Sequence, residues 1–535
     1  MAQRNFWGWG LEAAAFSDQQ LEELRALFAM RFGDALAARA ISPPRLQDLA
    51  LPASRLQPPA SLEGLLSRTP YERAAHTYGK AFRDIVRGLQ GDFSVAPDWV
   101  AYPESEYDLV ALMDWAAGAG AAVIPYGGGT TVTGGIEPRF EGGWKAAISV
   151  DMSRFNRVLE VDPISRAAHV QAGVYGPALE EALKPHGYSL RHYPQSFEFS
   201  TLGGWIATRS GGHFATRYTH IDDFVESLQL LTPQGKIETR RLPGSGAGPS
   251  PDKLFIGSEG ILGFITSAWM RLQDRPQFRA SATVRFTDFL AAAEAARLLA
   301  QSGLYPSNCR VIDAQEALNN GIGDGRSNLL LLGFESADHE LDAWMRRALE
   351  ICRECGGQVA EGSGKTVRTL QGERKGAAGT WRDTFLRAPY LRDALTRLGM
   401  VVETFETAIT WERFPSFHDA VVRAVQKAAA EVCGGCLLTC RFTHVYPDGP
   451  APYYTVIAPG QPGSQISQWD EIKAAASEAL ITHGGTITHH HSVGRDHRPW
   501  YDRQRPDLYA ESLRAVKTTL DPAGMLNPGV LLPEQ

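Results

Sequence analysis

The run Pro125-Tyr126-Gly127-Gly128-Gly129-Thr130-Thr131, which ends the short apolar segment AAVIPY, decides how the rest of the chain is interpreted. Consecutive glycines allow left-handed backbone conformations and close approach to a ligand. Their N–H groups can form a concave site for an anion such as a diphosphate. The spacing is not that of the Rossmann glycine motif, and no P-loop lysine follows. A glycine hairpin turn is the alternative interpretation.

Two further glycine-rich regions repeat this pattern. SFEFSTLGGW begins at Ser196 and leads into TRSGG, which begins at Thr208, and GSEGILGFIT begins at Gly257. Each region lies beside a short apolar run and combines glycines with hydroxyl side chains. The backbone N–H groups and the hydroxyl groups can both donate hydrogen bonds to an anion. A turn would explain each one separately. Together they favour a cofactor-binding domain.

The rest of the chain predicts an α+β protein in four parts. An N-terminal helical region and linker cover residues 1–95, with an amphipathic helix over 17–38 and a proline-rich segment over 43–59. The cofactor-binding domain covers 96–275. Strands and helices from 276 to 494 predict a sheet covered by helices that forms one wall of a substrate cleft. Residues 495–535 form a C-terminal segment that returns to the cofactor domain.

Composition excludes several classes of protein. The 535 residues are 44% hydrophobic and 21% charged, which is typical of a globular protein and not of a disordered, collagenous or coiled-coil chain. The formal net charge of −7 argues against a broad nucleic-acid-binding surface. No apolar stretch predicts a membrane-spanning helix or a signal peptide, so a cytoplasmic protein is expected. The six cysteines are then expected to be thiols.

The histidine run His489-His490-His491 in THGGTITHHHSVG is the most distinctive polar feature near the C-terminus. Three consecutive residues cannot share one helix face, and on a strand only alternate residues point the same way. A metal site made by all three is therefore not expected. A cleft that brings two imidazoles near a cofactor is easier to build, and a solvated polar turn is the alternative.

The glycine loops resemble the FAD domain of the vanillyl-alcohol-oxidase type of flavoprotein. Over nearly its full length the chain also resembles the alkyldihydroxyacetonephosphate synthase family. The segments that carry this resemblance are Trp7-Gly8-Trp9-Gly10, PYGGGTTV, SFEFSTLGGWIATR, GSEGILGFIT, RAPYLRD, FETAITW, CRFTHVY and HHHSVG. A departure is Gln195, which stands where the family has an aspartate.

The resemblance implies a role for individual residues. The phosphate-binding arginine of the family falls on Arg392, its catalytic tyrosine on Tyr453, its activity-critical histidines on 489–491, and a structurally important arginine on Arg310. The FAD contacts that it implies are Pro125, Tyr126, Gly127, Gly128, Gly129, Thr130, Thr131, Gln195, Ser196, Glu198, Ser200, Thr201, Gly204, Thr208, Arg209, Ser210, Glu259, Gly260, Gly263 and Ile265.

The resemblance also implies that FAD is held without a covalent bond. The histidine that links FAD in related flavoproteins ends the first glycine loop, and Thr130 stands there in this chain. The string RSGGH resembles such a site but lies far downstream. His213, its histidine, is therefore expected to be a surface or cleft residue.

The activity that the resemblance implies is ether-lipid synthesis. The acyl group of acyl-dihydroxyacetone phosphate is exchanged for a fatty alcohol through a flavin N5 adduct, with no net oxidation. Tyr453 would shuttle a proton, and nearby positive charge would help stabilise its phenolate. The implied partners are lipid-like phosphate esters and fatty alcohols, with no nucleic acid, and dimerisation is expected from the family.

Two other functions are kept open. The first is an FAD-dependent dehydrogenase or oxidase of a small hydroxy acid or of glycerol phosphate. Related 2-hydroxyacid dehydrogenases bind a metal through the motifs H-x-G-D-G-N-x-H and G-E-H-G. The corresponding stretches of this chain are THVYPDGPAPYY and HHHSVG, in which most of the metal-binding residues are replaced. The second is a non-enzymatic lipid- or flavin-binding protein. Peripheral contact with a membrane is also expected, through the N-terminal helix and the side chains of Phe6, Trp7 and Trp9.

Overall fold

The computed structural model describes residues 3–33, 39–214, 216–360, 363–368 and 377–534, and within the last range the side chains of 377–385 are not described. The N-terminal part contains α1 (Asp18–Phe32), β1 (Leu66–Ser67), α2 (Pro70–Ala75) and α3 (Phe82–Leu89). Ser17 and Gln20 form a capping box that starts α1. The predicted helix over 17–38 is confirmed for 18–32, and residues 34–38 lie outside the described part.

Two sheets make up the following region, whose elements are β2 (Trp99–Ala101), α4 (Glu106–Ala119), β3 (Ala121–Tyr126), β4 (Ala146–Asp151), β5 (Val158–Asp162), β6 (Ala167–Gln171), α5 (Gly176–Leu183), β7 (Tyr188–Ser189), α6 (Leu202–Thr208), β8 (Val225–Thr232), β9 (Gly235–Glu238), α7 (Asp252–Phe255), β10 (Phe264–Arg271) and β11 (Gln273–Asp274). The first sheet has the order β1-β2-β4-β3, and β2, β4 and β3 are parallel. The second is antiparallel with the order β5-β6-β10-β8-β9. The glycine loop leaves the carboxyl end of β3, where open parallel sheets place their ligands.

A larger sheet dominates the second half, whose elements are β12 (Phe278–Phe286), α8 (Phe289–Gln301), β13 (Asn308–Ile312), α9 (Ala314–Asn319), β14 (Asn328–Ser336), α10 (Asp342–Glu354), β15 (Gln358–Val359), β16 (Val367–Arg368), α11 (Ala377–Arg397), β17 (Met400–Glu406), α12 (Phe414–Cys433), β18 (Leu437–Val445), β19 (Pro450–Pro459) and α13 (Gln465–Thr482). The strand order is β15-β12-β14-β13-β18-β19-β17, with β16 beside β12. Helices α8, α10, α12 and α13 pack their apolar sides into one core with this sheet. The α+β prediction, with a helix-covered sheet in this half, is confirmed.

Three neighbouring strands of this sheet bring polar residues into one row. Tyr453 on β19 lies opposite Glu406 on β17 and Arg441 on β18. These partners are separated by many residues in the sequence, so the antiparallel register alone aligns them.

The C-terminal segment contains α14 (Arg498–Gln504) and α15 (Asp507–Leu520) and then returns to the first sheet. The N–H of Val123 donates to the carbonyl of Met525, and the N–H of Asn527 donates to the carbonyl of Val123. The buried ammonium of Lys517 donates to the carbonyls of Ile261 and Leu526 and pairs with Asp521. The tail is therefore anchored beside the first glycine loop.

The aromatic residues near the N-terminus lie inside the protein. Phe6, Trp7 and Trp9 are only 8%, 8% and 5% exposed, because this segment packs against α3 and α11. These three side chains cannot insert into a membrane, so that part of the prediction is wrong. Within the part of the chain that the structure describes, no helix combines the length and apolar character that crossing a bilayer requires.

All six cysteines are free thiols, as predicted. Cys309, Cys352 and Cys440 are buried, and burial raises the pKa of each thiol. Buried thiols of raised pKa are poor nucleophiles, so these cysteines are core residues.

Candidate active site

A cavity of about 370 Å³ lies between the glycine loops and the large sheet. Most of the predicted site residues line it, namely Pro125, Tyr126, Gly127, Gly128, Gly129, Thr130, Thr131, Gln195, Ser196, Ser200, Thr201, Gly204, Thr208, Ser210, Glu259, Gly260, Gly263, Ile265, Arg310, Arg392, Tyr453, His490 and His491. The fold therefore gathers segments that lie more than 350 residues apart in the sequence around one cavity.

Three predicted site residues do not line the cavity. Glu198 is exposed on a short 3₁₀ turn. Arg209 ends α6 in a left-handed conformation, and its guanidinium points outward to pair with Asp222. His489 lies behind His490 and hydrogen-bonds to Tyr446. Adjacent residues in a turn point in different directions, so only part of each motif can face one cavity.

The loops on the cofactor side pack so closely that only glycine fits between them. A Cβ atom on Gly128 would lie 1.8 Å from the carbonyl oxygen of Phe199, and one on Gly127 would lie 2.5 Å from Oγ1 of Thr201. Thr201 also caps α6 by accepting the N–H of Gly204. The cavity wall here is therefore backbone, a helix N-terminus and hydroxyl groups, which suits a diphosphate.

The one carboxylate among the predicted cofactor contacts that line the cavity is directed away from it. Glu259 accepts the N–H groups of Val493 and Gly494, each at 2.8 Å. Burial raises the pKa of Glu259 to about 7, against the opposing effect of these two hydrogen bonds. Glu259 therefore ties the tail to the loop and is only partly ionised at neutral pH, so this wall is compatible with FAD.

Tyr453 occupies the centre of the opposite wall. It is 5% exposed, and the guanidinium of Arg441 lies 3.9 Å from the centroid of its ring. Arg441 is itself paired with the buried Glu316. Burial raises the pKa of Tyr453, and the charge of Arg441 offsets this only in part. Tyr453 is therefore a neutral phenol at rest, and Arg441 supplies the nearby positive charge that was predicted.

Arg392 is held at the edge of the cavity. Its Nη1 donates to the carbonyl of Lys80 at 2.5 Å, and Nε and Nη2 donate to the carboxylate of its neighbour Asp393. The other oxygen of Asp393 accepts the N–H of Trp9 at 2.6 Å. The N-terminal segment thus fixes the guanidinium through Asp393, and the ring of Trp9 lines the same cavity.

Arg310 lies on the cap side and is 1% exposed. Its Nη2 donates to the carbonyl of His213, and burial together with the charge of Arg441 lowers the pKa of Arg310 to about 9. His213 is 8% exposed, which excludes the surface position of the two that were predicted, surface or cleft.

The buried carboxylate of Glu406 organises the histidine run. It accepts the N–H groups of His489, His490 and His491 at 2.5, 3.1 and 2.9 Å, and also the hydroxyl of Thr488. Burial raises the pKa of Glu406, but the neighbouring histidines and these hydrogen bonds lower it by more. The ionised carboxylate fixes the loop so that His490 and His491 face Tyr453, at ring-centroid distances of 6.1 and 5.4 Å.

The histidine run does not converge on one point, but a different set of histidines does. Ring nitrogens of His444, His489 and His490 lie within 4.8 Å of one another. His444 comes from β18, and its Nε2 donates to the carbonyl of Gly212. Hydrogen bonds therefore already engage a nitrogen of His444 and both nitrogens of His489. The prediction that the run holds no metal stays untested.

Sequence reasoning missed several residues of the site. Arg441, Glu316, His444 and Trp9 all line the cavity, and Glu406 directs the histidines. FETAITW and CRFTHVY contain three of these residues. Nothing in those strings distinguishes a site residue from a core residue until the register of β17, β18 and β19 is known.

Two domain families match the chain: an FAD-binding domain over residues 97–240 and the C-terminal domain of FAD-linked oxidases over 275–531. The alkyldihydroxyacetonephosphate synthase of Dictyostelium discoideum is 31% identical over 487 residues, which cover 86% of this chain and 77% of that protein. This chain belongs to the alkyldihydroxyacetonephosphate synthase family.

Solved structures agree with this assignment. A structure of an alkyldihydroxyacetonephosphate synthase superposes with a TM-score of 0.82 at 25% identity and covers 98% of each chain. The 4-ethylphenol oxidase of Gulosibacter chungangensis superposes with a TM-score of 0.62 at 17% identity over 82% of this chain and 90% of its own, which shows a shared fold alone. The protein is an FAD-dependent enzyme of the synthase family with the predicted two-part fold.

Proposed function

We propose that this protein is an alkylglycerone phosphate synthase that exchanges the acyl group of acyl-dihydroxyacetone phosphate for a fatty alcohol. The observation that carries the proposal is the arrangement of Arg392, Tyr453 and His490 around one cavity whose opposite wall suits FAD. When bound, FAD supplies the nucleophilic ring nitrogen that the exchange requires. The family assignment favours this function over a dehydrogenase or oxidase.

Arg392 binds the substrate phosphate in this proposal. Its guanidinium presents a planar set of donors to phosphate oxygens, and Asp393 and the carbonyl of Lys80 keep it in place. Arg310 and Arg441 add positive charge on the cap side of the cavity. An anionic head group is therefore attracted, while the remainder of the substrate extends along the apolar residues Leu395, Val402 and Ile457 that line the same cavity.

Tyr453 and the histidines handle the protons. As a neutral phenol, Tyr453 can pass its proton to a neighbouring histidine and recover one from the incoming alcohol, while the fatty acid leaves as its carboxylate. Arg441, packed on its ring, stabilises the phenolate that forms in between. His490 and His491 lie next to this phenol, and burial lowers the pKa of both, so they begin neutral and can accept a proton.

The deciding experiment incubates the purified yellow protein with acyl-dihydroxyacetone phosphate and a fatty alcohol. We expect an ether product without net bleaching of the flavin. Anaerobic bleaching by glycerol 3-phosphate or a hydroxy acid, with no ether product, would instead support a dehydrogenase. Arg392→Ala should raise KM at least tenfold, because a buried phosphate loses its charged partner.

Release of the flavin by denaturation without proteolysis tests the proposal that FAD is not covalently attached.

Peripheral membrane contact is proposed through α1 instead of the buried aromatic residues. Leu27 and Met30 are 56% and 81% exposed on its outer side. Flotation with liposomes should be lost in the double variant Leu27→Glu with Met30→Glu, and flotation that persists in it would contradict this surface. The homodimer and the cytoplasmic location stay predictions, which sedimentation and cell fractionation test.

A further inference from the structure

A chain of imidazoles runs from the cavity toward the protein surface. His490 lines the cavity, and its Nδ1 lies 3.0 Å from Nδ1 of His489. Nε2 of His489 lies 3.1 Å from Nε2 of His220, which is half-buried. Nδ1 of His220 lies 3.1 Å from the carbonyl oxygen of Arg209. The chain joins the C-terminal histidine loop to a loop more than 260 residues earlier.

The carbonyl at the outer end fixes where every proton in this chain lies. A carbonyl only accepts, so Nδ1 of His220 must carry a hydrogen. In neutral His220, Nε2 then accepts, and it receives the N–H from Nε2 of His489. Nδ1 of His489 accepts in turn from Nδ1–H of His490. Nε2 of His490 is therefore the unprotonated nitrogen.

Tyr446 and Thr219 are compatible with this arrangement. The phenol oxygen of Tyr446 lies 2.7 Å from Nε2 of His489 and 3.1 Å from Oγ1 of Thr219. It can accept from the imidazole while donating its own hydrogen to Thr219. Each ring nitrogen of the network then has one role, and the Nε2 hydrogen of His489 is shared between the phenol oxygen of Tyr446 and Nε2 of His220.

The surrounding charges favour a proton at the outer end. At His490, burial and the positive charges of neighbouring histidines and Arg441 oppose protonation. At His220, burial also opposes it, but the carboxylates of Asp222 and Asp223 and the carbonyl of Arg209 favour it. Asp222 is itself tied to the exposed Arg209 and Lys253. A proton that enters at His490 thus moves toward a more favourable site.

We propose that His490, His489 and His220 form a proton relay that carries the proton released in each turnover from the cavity to the surface. This inference rests on the proposed function. In that reaction the bond between the dihydroxyacetone carbon and the carboxylate oxygen breaks, the bond to the alcohol oxygen forms, and the alcohol loses its hydrogen. The fatty acid leaves ionised at neutral pH, so one proton per turnover must reach solvent.

The relay transfers that proton without moving a side chain. Nε2 of His490 takes a proton, its Nδ1 proton passes to Nδ1 of His489, and the Nε2 proton of His489 passes to Nε2 of His220. His220 then releases a proton to water, and the rings of His490 and His489, which now hold the opposite tautomers, flip before the next turnover. His220 never contacts substrate in this scheme and is a positioning and relay residue.

The test uses the holoenzyme and the variant His220→Ala. We expect kcat to fall about 10-fold to 100-fold with KM nearly unchanged, and millimolar imidazole to restore most of the loss, because a diffusing base replaces the missing ring. His220→Asn, which keeps a donor toward the carbonyl of Arg209, should be equally slow. His169→Ala is the matched control, since His169 lies on β6 away from the cavity and should leave kcat unchanged.

An unchanged kcat in both His220 variants, or a loss that imidazole does not restore while the flavin spectrum is intact, would overturn the relay.

Nitrogen-15 spectra of histidine in the wild-type holoenzyme give a second readout that needs no turnover. We expect Nδ1–H on His220 and His490 and Nε2–H on His489, and the opposite tautomers would refute the proposal. If the wild type forms no ether product, the proposed function fails and the tautomers still decide the relay.

Discussion

The two walls of the cavity are built by different means. The cofactor wall is made of backbone and hydroxyl groups from short motifs, and its shape depends on glycines that leave no space between loops. The cap wall is made of charged and aromatic side chains aligned by strand register, namely Glu406, Tyr453 and Arg441. Changes to the first wall should therefore affect cofactor binding, whereas changes to the second should affect chemistry while the cofactor stays bound.

The largest expected effect is on the cofactor wall. Gly128→Ala should abolish flavin binding and with it activity, because the new methyl group would need more than 1 Å of backbone movement away from the carbonyl of Phe199. The ratio of flavin to protein absorbance after purification measures it. Gly118→Ala on α4 is the control, since its Cβ meets open space and the change favours a helix. Full flavin content in Gly128→Ala would show that the loops are not tightly packed.

The second prediction tests the cap wall. Tyr453→Phe should lower kcat about 100-fold or more with normal flavin content, because the proton donor is removed while the ring stays in place. Tyr454→Phe is a matched control on the same strand, since its side chain points to the other face and bonds His418. That control should keep full activity and lose about 1 kcal/mol of stability. Equal activity of wild type and Tyr453→Phe would remove Tyr453 from the mechanism.

A smaller effect is expected when the histidine loop is loosened. Glu406→Gln keeps one accepting oxygen but puts an NH2 group against the N–H of His489 or against those of His490 and His491, so the loop should shift and kcat should fall about 10-fold to 100-fold. Glu403→Gln removes another buried carboxylate of β17, one that pairs with Lys473 and not with the histidines. It should lower the melting temperature without a comparable loss of kcat. Similar kcat losses in both variants would mean that the Glu406 effect is only a stability effect.

The smallest expected effect is a dependence of stability on pH, which arises from a buried histidine at each of the two walls. His192 beside the cofactor wall and His444 on the cap wall are both buried, and burial lowers the pKa of each to about 3. The unfolded chain protonates these residues near pH 6.5, so it binds more protons than the folded chain between pH 6.5 and 3. Stability should therefore fall as the pH drops below 6.5, by about 1 kcal/mol for each histidine at pH 5.5.

Denaturant unfolding between pH 7.5 and 5.5 measures this loss. His192→Gln removes one of the two groups and should give a shallower dependence on pH. The control is His339→Gln, because His339 is exposed and lies far from the cavity. A dependence that is identical in wild type and His192→Gln would show that His192 is not held neutral by the fold.

Local patterns were enough to predict much of the fold. FLAAAEAARLLAQ shows helical spacing in the sequence and forms α8, Phe289–Gln301, and residues 466–482 show the same spacing and form most of α13, Gln465–Thr482. Helical spacing and capping residues act over a few neighbours, so the sequence displays them directly. The glycine loops are equally local, and residues of all of them line the cavity.

The sequence by itself determined the elements, the glycine loops and the family resemblance, because each depends on residues adjacent in the chain. Only the tertiary structure decided that Phe6, Trp7 and Trp9 are buried, that Tyr453 lies between Glu406 and Arg441, and that His220 meets His489. Those contacts depend on strand register and on how distant loops pack. A short motif carries no record of either, since a shift of one residue along a strand would turn each side chain to the other face.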